Sequence, residues 1–168
     1  MEYYIDNYLK DFASATTAIQ SAIIECSKNG GGRVIFQKNK VYRAGLIELY
    51  DNVELFFEEN AKLMASDNVE DFSLSTHFKE KLVTTPTWEN CEYGGLPNQF
   101  FIYAKDCKNI AITGYGCIDG NEEIFYGNQT KWHIDGYYYP RVPLIYLENC
   151  HNSVSYTHLR AHETLRHL

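Results

Sequence analysis

The spacing of hydrophobic positions along the chain changes near residue 30. Before that point, apolar residues recur at intervals of three and four, which is the spacing of one helical face; they are Ala18, Ile19, Ala22, Ile23 and Cys26. We place the N-cap of this helix at Thr16 or Thr17. We place its end at Asn29–Gly32, where glycines supply the positive φ of a C-cap.

After residue 32, the pattern consists of short runs rich in β-branched and aromatic residues, each broken by Asn, Asp, Gly or Lys. The runs lie at 33–36, 40–42, 46–49, 52–57 and 62–65. No second convincing amphipathic helix separates them. A doubly wound α/β sheet is therefore disfavoured, because it needs a helix between successive parallel strands.

One segment of the chain recurs. Phe101–Asn109 and Leu144–Asn152 share Ile-Tyr, an acid or amide before Cys, the Cys itself and a final Asn, 43 residues apart, and Ile47–Val53 is a weaker copy. Each copy predicts a short strand and a tight corner at Asn, since Asn tolerates the left-handed conformation. Strands and corners repeated without helices predict a solenoid of parallel coils of about 20–25 residues, so that one repeat would be close to two coils.

We therefore predict an all-β protein, a right-handed parallel β-helix (solenoid) with an N-terminal capping α-helix. The helix, Thr17–Cys26, would cover the first coil with Ile19 and Ile23, because a solenoid end exposes apolar core and unpaired backbone. Residues 66–99 and 121–142 break the rhythm and are predicted to be long excursions between coils. Their aromatic residues either line a binding face or pack on the solenoid wall.

Charge and composition restrict the partners. The 168-residue chain has a net charge of −7, which argues against a nucleic-acid partner because phosphate binding needs a basic face. No apolar run approaches the roughly 20 residues of a membrane helix, so no membrane partner is expected. The first twelve residues lack the basic and apolar regions of a signal peptide, so the chain as written is expected in the cytoplasm. An upstream leader would instead make the parent protein secreted or periplasmic.

The five cysteines lie at wide, irregular spacing with no C-x-x-C. They are Cys26, Cys91, Cys107, Cys117 and Cys150. Free cysteine is among the most buried residue types, and disulfides are rare in reducing compartments. We therefore predict buried free thiols.

The last fourteen residues, SYTHLRAHETLRHL, hold His158, His162 and His167 beside Glu163. The spacing after Glu163 is one residue too long for the zinc motif H-E-x-x-H, no cysteine pair lies nearby, and two arginines would repel a dication. We predict no metal site and no cofactor. The stretch resembles the translation of a sequencing adapter, so residues 153–168 are predicted to be a non-native tail.

Several motifs follow one another in a familiar order: Thr17–Ile23, Gly30–Val34, Gly45–Leu49, Asn52–Val53, Thr87–Glu89, Asn109–Gly120 (NIAITGYGCIDG) and Arg141–Asn152. In this order they resemble glycoside hydrolase family 28, the polygalacturonases, across residues 9–152. The resemblance implies a right-handed parallel β-helix with a capping helix, of which residues 1–152 would be the N-terminal part.

The resemblance also implies an enzyme that cleaves α-1,4 bonds between galacturonic acid residues of pectin. Cleavage would proceed with inversion, using an acid and a base carboxylate roughly 6.5–9.5 Å apart. The family's N-x-D, D-D, G-H-G and R-x-K motifs do not occur in this sequence and are expected beyond its end.

Asp119 is the candidate substitute for a missing carboxylate. It lies at a strand end before Gly120, where it is predicted to bond local backbone amides, and Glu122 and Glu123 are predicted to be a surface pair. We assign no catalytic and no substrate-binding residue and expect the 168-residue chain to be inactive.

Two classes of function stay open. The first is a fragment of a polygalacturonase-like hydrolase whose partner is a pectic poly- or oligosaccharide, including rhamnogalacturonan or xylogalacturonan. The second is a non-enzymatic β-helix that binds polysaccharide or acts as an adhesin. A pectate lyase is a weaker alternative, because it would need clustered Asp ligands for Ca²⁺. Only about four or five coils would form, and the uncovered last edge is expected to make the fragment self-associate.

Overall fold

The architecture is that of a computed structural model, which describes residues 1–72, 99–121, 126–129, 134–137, 142–155 and 160–161. Several sequence predictions concern residues outside these ranges. They are Cys91, Thr87–Glu89, Glu122, Glu123, Arg141, His158, His162, Glu163 and His167.

Two short elements that the hydrophobic pattern did not predict precede the helix. Strand β1 (Glu2–Tyr4) pairs in parallel with β2 (Gly32–Phe36), and helix α1 (Ile5–Leu9) follows β1 directly. Ile5 is fully buried and anchors this segment in the main core. Elements of three and five residues are too short to show a hydrophobic period, which explains why they were missed.

The predicted capping helix is α2, which spans Ala15–Lys28 and is longer at both ends than predicted. Its N-cap is Ser14 rather than either predicted threonine. Thr16 Oγ1 instead accepts a hydrogen bond from the Gly45 N–H at 2.8 Å and so joins the helix to the first coil. The apolar stripe of α2 packs against the strands and is fully buried, as predicted, at Ile19 and Ile23.

The other strands are short. In chain order they are β3 (Val41–Ala44), β4 (Ile47–Glu48), β5 (Val53–Phe57), β6 (Lys62–Ala65), β7 (Ile102–Lys105), β8 (Ala111–Gly114), β9 (Cys117–Asp119), β10 (Tyr126–Gln129), β11 (Ile134–Tyr137), β12 (Ile145–Glu148), β13 (Val154–Ser155) and β14 (Arg160–Ala161). A 3₁₀ turn at Val69–Phe72 follows β6.

These strands stack in three parallel sheets. Sheet A has the order β1-β2-β5-β8-β13, sheet B the order β3-β6-β9-β14 and sheet C the order β4-β7-β12. Strands β10 and β11 form a separate antiparallel hairpin inside the second excursion. The prediction of short strands paired in parallel sheets is confirmed. Strands β13 and β14, within the segment predicted to be non-native, continue sheets A and B, and the origin of that segment stays a prediction.

The register of the sheets defines the length of a coil. Between the first and second coils, Arg33 lies opposite Glu54, 21 residues later. Between the second and third coils, Lys105 of β7 lies opposite Glu148 of β12, 43 residues later. The prediction that this repeat is about two coils is therefore wrong, because a single coil is lengthened by the excursion between β9 and β12. The described strands form three coils through all three sheets and begin a fourth.

Both excursions lie at the same point of the architecture, the passage from sheet B to sheet C. In the first coil this passage is short, since β3 ends at Ala44 and β4 begins at Ile47. In the next two coils the same passage contains the long segments 66–101 and 120–144. The strands on either side of these segments stay paired in register, β6 with β9 and β7 with β12.

Side chains that point inward form columns along the stack. Ile47 and Ile102 lie opposite each other in sheet C and are both fully buried. In sheet A, the rings of Phe36 and Phe57 stack with centroids 4.2 Å apart. The buried positions along β5 alternate with partly exposed ones, following the two-residue period of a strand; they are Val53, Leu55 and Phe57.

Asparagines occupy the corners in the left-handed conformation, as predicted. Among the described residues, every non-glycine residue with positive φ is Asn or Asp: Asn39, Asn52, Asn60, Asp106, Asn109, Asn121, Asn149 and Asn152. Asn109 Nδ2 donates to Asn52 Oδ1 at 2.8 Å, and Asn152 Nδ2 donates to Asn109 Oδ1 at 3.1 Å. Equivalent corners of successive coils are therefore joined by a ladder of side-chain amides.

Replacing Asn109 with alanine is expected to lower the free energy of unfolding by about 1–3 kcal/mol, through left-handed strain and two lost hydrogen bonds. Asn109→Gly is the matched control, because glycine adopts positive φ without strain but also lacks the amide. Urea unfolding should rank the wild type above Asn109→Gly and Asn109→Ala lowest. An alanine variant as stable as the glycine variant would show that the backbone at this corner is not left-handed.

Candidate functional site

A cavity of about 790 Å³ opens where the chain turns from sheet A into sheet B. It is lined by two successive turns, Glu59–Lys62 of the second coil and Tyr115–Cys117 of the third. The turns approach closely at Gly116, where a Cβ atom would lie 2.7 Å from Phe57 Cβ and closer still to the Ala61 carbonyl oxygen. Only glycine permits this packing, which sets the base of the cavity.

The outer face of sheet B begins at this cavity. Lys62 lies opposite Cys117, and Met64 lies opposite Asp119, on neighbouring strands. Lys62 Nζ lies 3.0 Å from Asp119 Oδ2, so the ion pair runs diagonally between the two strands. The two side chains are 35% and 20% exposed, which leaves the pair partly shielded but within reach of a ligand on this face.

Asp119 is held at both carboxylate oxygens. Its Oδ2 accepts from Lys62 Nζ, and its Oδ1 accepts the backbone N–H of Asn121 at 2.9 Å. The second contact is the local backbone bond predicted for this residue, and it fixes the turn after β9. The structure therefore confirms the local backbone bond predicted for Asp119.

The contacts continue from Asp119 across sheet B towards β3. Asn121 Nδ2 donates to Asp67 Oδ1 at 2.8 Å, and Arg43 forms an ion pair with the same carboxylate. Arg43, Lys62, Asp67, Asp119 and Asn121 thus form a polar row across three coils. Each carboxylate of the polar row is paired with a cation and with Asn121, so we assign no catalytic residue within it.

Sequence analysis missed the two cations of the polar row. Lys62 precedes an apolar run and Arg43 lies inside one, and neither belongs to a recognisable motif. The alternation of exposed and buried positions along β3 and β6 does place both side chains on the outer face. That alternation was the available signal.

A hydrophobic cluster on sheet C was also missed; its members are three aromatic residues, Phe100, Tyr103 and Tyr146, together with Leu46. The ring centroids of Phe100 and Tyr103 are 4.5 Å apart, and those of Phe100 and Tyr146 are 5.0 Å apart. Both copies of the repeat carry Tyr after Ile, which could have indicated stacked tyrosines.

Glu148 anchors one edge of this cluster. It accepts a hydrogen bond from Tyr103 Oη at 3.1 Å, and its other oxygen lies 2.7 Å from Lys105 Nζ. Burial, together with the hydrogen bond to Glu148 and the charge of that carboxylate, raises the pKa of Tyr103 well above its usual value. The hydroxyl therefore stays protonated and acts as a structural donor.

Four cysteines lie in the described part of the chain, and all four are free thiols, as predicted. Cys26 and Cys107 are buried, whereas Cys117 and Cys150 are half-buried. The prediction of burial therefore holds for the first two.

Within the described ranges, no three His, Cys, Asp or Glu side chains come together where they could hold a metal ion. Among the helices described, none is long and apolar enough to cross a membrane.

Comparison with solved structures finds the same fold in carbohydrate-active proteins. A glycosyl hydrolase candidate from Parabacteroides merdae matches with a TM-score of 0.65 and 28% identity, over 96% of this chain and 64% of that one. The hyperthermoactive exopolygalacturonase of Thermotoga maritima matches with a TM-score of 0.68 and 21% identity, over 96% of this chain and 41% of the enzyme.

A family 28 exopolygalacturonase from Yersinia enterocolitica matches with a TM-score of 0.66 and 20% identity, over 96% of this chain and 34% of that one. The chain thus spans 34–64% of the length of these three proteins. Comparison of the sequence with protein-family profiles and with curated proteins finds no match. The chain has the fold of the family 28 polygalacturonases, as the ordered motifs of its sequence predicted.

Proposed function

We propose that the chain is the N-terminal part of a glycoside hydrolase whose three sheets close into a right-handed β-helix and whose substrate is a pectic polysaccharide. The observation that carries the proposal is the likeness to a glycosyl hydrolase candidate over 96% of this chain at 28% identity. Two further structural neighbours are exopolygalacturonases, which supports a pectic polysaccharide as the substrate.

The outer face of sheet B suits an anionic polymer. Lys62 and Arg43 lie on this face in the polar row, and Tyr115, 66% exposed, lies at the cavity beside it. A polyuronate lying along the stack would bring its carboxylates within reach of both cations, in competition with Asp67 and Asp119. The tyrosine ring offers a flat apolar surface to a sugar.

Hydrolysis by this route needs an acid and a base carboxylate on opposite sides of the scissile bond. The motifs that supply them in the family do not occur in this sequence. We therefore propose that the 168-residue chain binds pectic oligosaccharides without cleaving them. The second candidate, a non-enzymatic polysaccharide-binding module, is favoured by the cation pairing of both carboxylates in the polar row.

Reducing ends released from polygalacturonate measure hydrolysis directly. We expect no release above a control without protein, and any reproducible turnover would contradict the proposed inactivity of this chain. A longer chain that carries the missing motifs should release reducing ends if the parent is a hydrolase. A longer chain that binds pectin but releases none would favour the non-enzymatic module.

Replacing Lys62 with alanine is expected to weaken binding of tri-galacturonate tenfold or more, because a charge-assisted hydrogen bond to a carboxylate contributes about 1.5–3 kcal/mol. Lys105→Ala is the matched control, since Lys105 forms a similar ion pair with Glu148 on sheet C. Titration calorimetry measures both affinities. Equal losses in the two variants would show that sheet B is not the binding face.

We also propose that the chain self-associates through the last coil of the stack. Three apolar side chains around the cavity at that end are unusually exposed: Ile145 at 38%, Leu147 at 42% and Val154 at 46%. Contiguous exposed apolar surface favours association. Light scattering should give a mass above the monomer for the wild type and a shift towards the monomer for Leu147→Lys.

Val41→Lys is the control for that experiment, because Val41 is 62% exposed but lies on the outer face of β3. It should associate as the wild type does. A wild-type chain that stays monomeric as its concentration is raised would contradict the proposal.

A further inference from the structure

Two cysteines occupy the same position in successive coils. Cys107 follows β7 and Cys150 follows β12, and the parallel pairing of these strands continues past both cysteines to a bridge between Lys108 and His151. The His151 N–H donates to the Cys107 carbonyl at 2.9 Å. The two cysteines are therefore direct neighbours in adjacent coils. Neighbouring strands lie about 4.7–4.9 Å apart, which falls within the Cα separation of about 4.4–6.8 Å that disulfides require.

The two side chains also have the same orientation. Each sulfur donates to the carbonyl oxygen two residues earlier in the chain, Cys107 Sγ at 3.2 Å and Cys150 Sγ at 3.4 Å. Both thiols therefore lie on the same side of the corner. Burial raises the pKa of Cys107 to about 11, and the neighbouring Cys150 adds to the shift.

The two thiols differ in access. Cys107 is only 6% exposed and its sulfur also lies 3.3 Å from the Leu49 carbonyl oxygen, whereas Cys150 is half-buried. An oxidant in solution would reach the more exposed Cys150 first, and Cys107 is its neighbour in the adjacent coil. This is the order of an attacking and a resolving thiol.

We propose that Cys107 and Cys150 form an oxidisable dithiol, which a small disulfide such as oxidised glutathione converts into a covalent link between the second and third coils. The Cys150 thiolate attacks one sulfur of oxidised glutathione, giving a mixed disulfide and releasing one glutathione thiolate, which takes up the proton lost by Cys150. The Cys107 thiolate then attacks Cys150 Sγ, the bond to glutathione breaks, and the second glutathione leaves with the proton of Cys107. Two electrons pass to glutathione, so two protein thiols become one disulfide and one oxidised glutathione becomes two reduced molecules.

Cys107 and Cys150 are 43 residues apart in the chain, as are Asp106 and Asn149, whose side chains are hydrogen-bonded. The link would therefore close a loop of that length. The loop contains the whole excursion between β9 and β12. A cross-link of this kind restricts the unfolded chain and stabilises the folded one. Oxidation is therefore expected to raise the urea midpoint of unfolding, and dithiothreitol should reverse the change.

The test uses the full 168-residue chain incubated with oxidised glutathione, followed by alkylation of the remaining thiols, tryptic digestion and mass spectrometry. The expected result is one linked pair of peptides, containing Cys107 and Cys150. Cys117→Ser is the matched control, since Cys117 is the other half-buried thiol among the four described cysteines, and it should keep the link. Cys107→Ser should stop at the glutathione adduct on Cys150.

A wild-type chain that stops at this adduct, forms its link between other cysteines or does not react would overturn the proposal. The measurement reports on sulfur chemistry alone. It therefore remains valid whether or not the parent protein hydrolyses pectin.

Discussion

Replacing Gly114 with alanine is expected to lower the free energy of unfolding by about 3 kcal/mol or more, since severe strain and overpacking act together. Gly114 ends β8 with φ of +116°. A Cβ atom here would lie 2.6 Å from the Phe57 nitrogen and closer still to the Phe57 carbonyl oxygen. These are backbone atoms of β5, which cannot move away without breaking its pairing with β2 or β8.

Gly30→Ala is the matched control for this variant. Gly30 has φ of +89°, and an added Cβ would meet no atom within 4 Å. Its replacement therefore introduces only left-handed strain, about 1–2 kcal/mol. Urea unfolding followed by far-ultraviolet circular dichroism compares the two variants. Equal losses of stability in Gly114→Ala and Gly30→Ala would show that β8 does not approach β5 closely enough to exclude a side chain at Gly114.

Replacing Phe57 with alanine is expected to destabilise the protein by about 3–5 kcal/mol, the usual loss for a buried phenylalanine. The Phe57 ring is fully buried and stacks on Phe36 in the coil before, with centroids 4.2 Å apart. Removing it would leave a void in a column that consecutive coils share. The rest of the coil cannot close this void, because its strands are fixed by pairing on both sides.

The adjacent residue serves as the control. Phe56 is only partly buried and points outward, with the Arg33 guanidinium 4.5 Å from its ring centroid. Phe56→Ala should cost about 1 kcal/mol, the contribution of an exposed cation–π contact. Chemical unfolding of Phe57→Ala, Phe57→Leu and Phe56→Ala should rank them in that order, the first being least stable. A Phe56 variant as unstable as Phe57→Ala would place the core on the other side of β5.

The parallel stack could be predicted because its corners are visible in the sequence. Asn109 and Asn152 each end a recurring strand, and the left-handed backbone that Asn tolerates is a local property of one residue. The length of a coil could not be predicted in the same way. The 43 residues between those asparagines include both the strands of one coil and an excursion. Only the pairing of β7 with β12 shows how many of them belong to each.

In the candidate site, too, a contact within the turn could be predicted and a contact between distant strands could not. The bond from Asp119 to the Asn121 N–H spans two residues and follows from an Asp at a strand end, so it could be predicted. The partner of Asp119 across the sheet, Lys62, is 57 residues away. Their contact depends on how β6 and β9 align after the first excursion. No property of either residue alone indicates that alignment.

The passage from sheet B to sheet C has a consequence for how such a protein can diversify. In the first coil two residues suffice to connect β3 to β4, while later coils accommodate whole additional segments at the same point. Sequence gained or lost there leaves every rung paired as before. Natural relatives can therefore be expected to vary in length mainly at this place, acquiring new recognition surfaces while the scaffold beneath them is inherited intact.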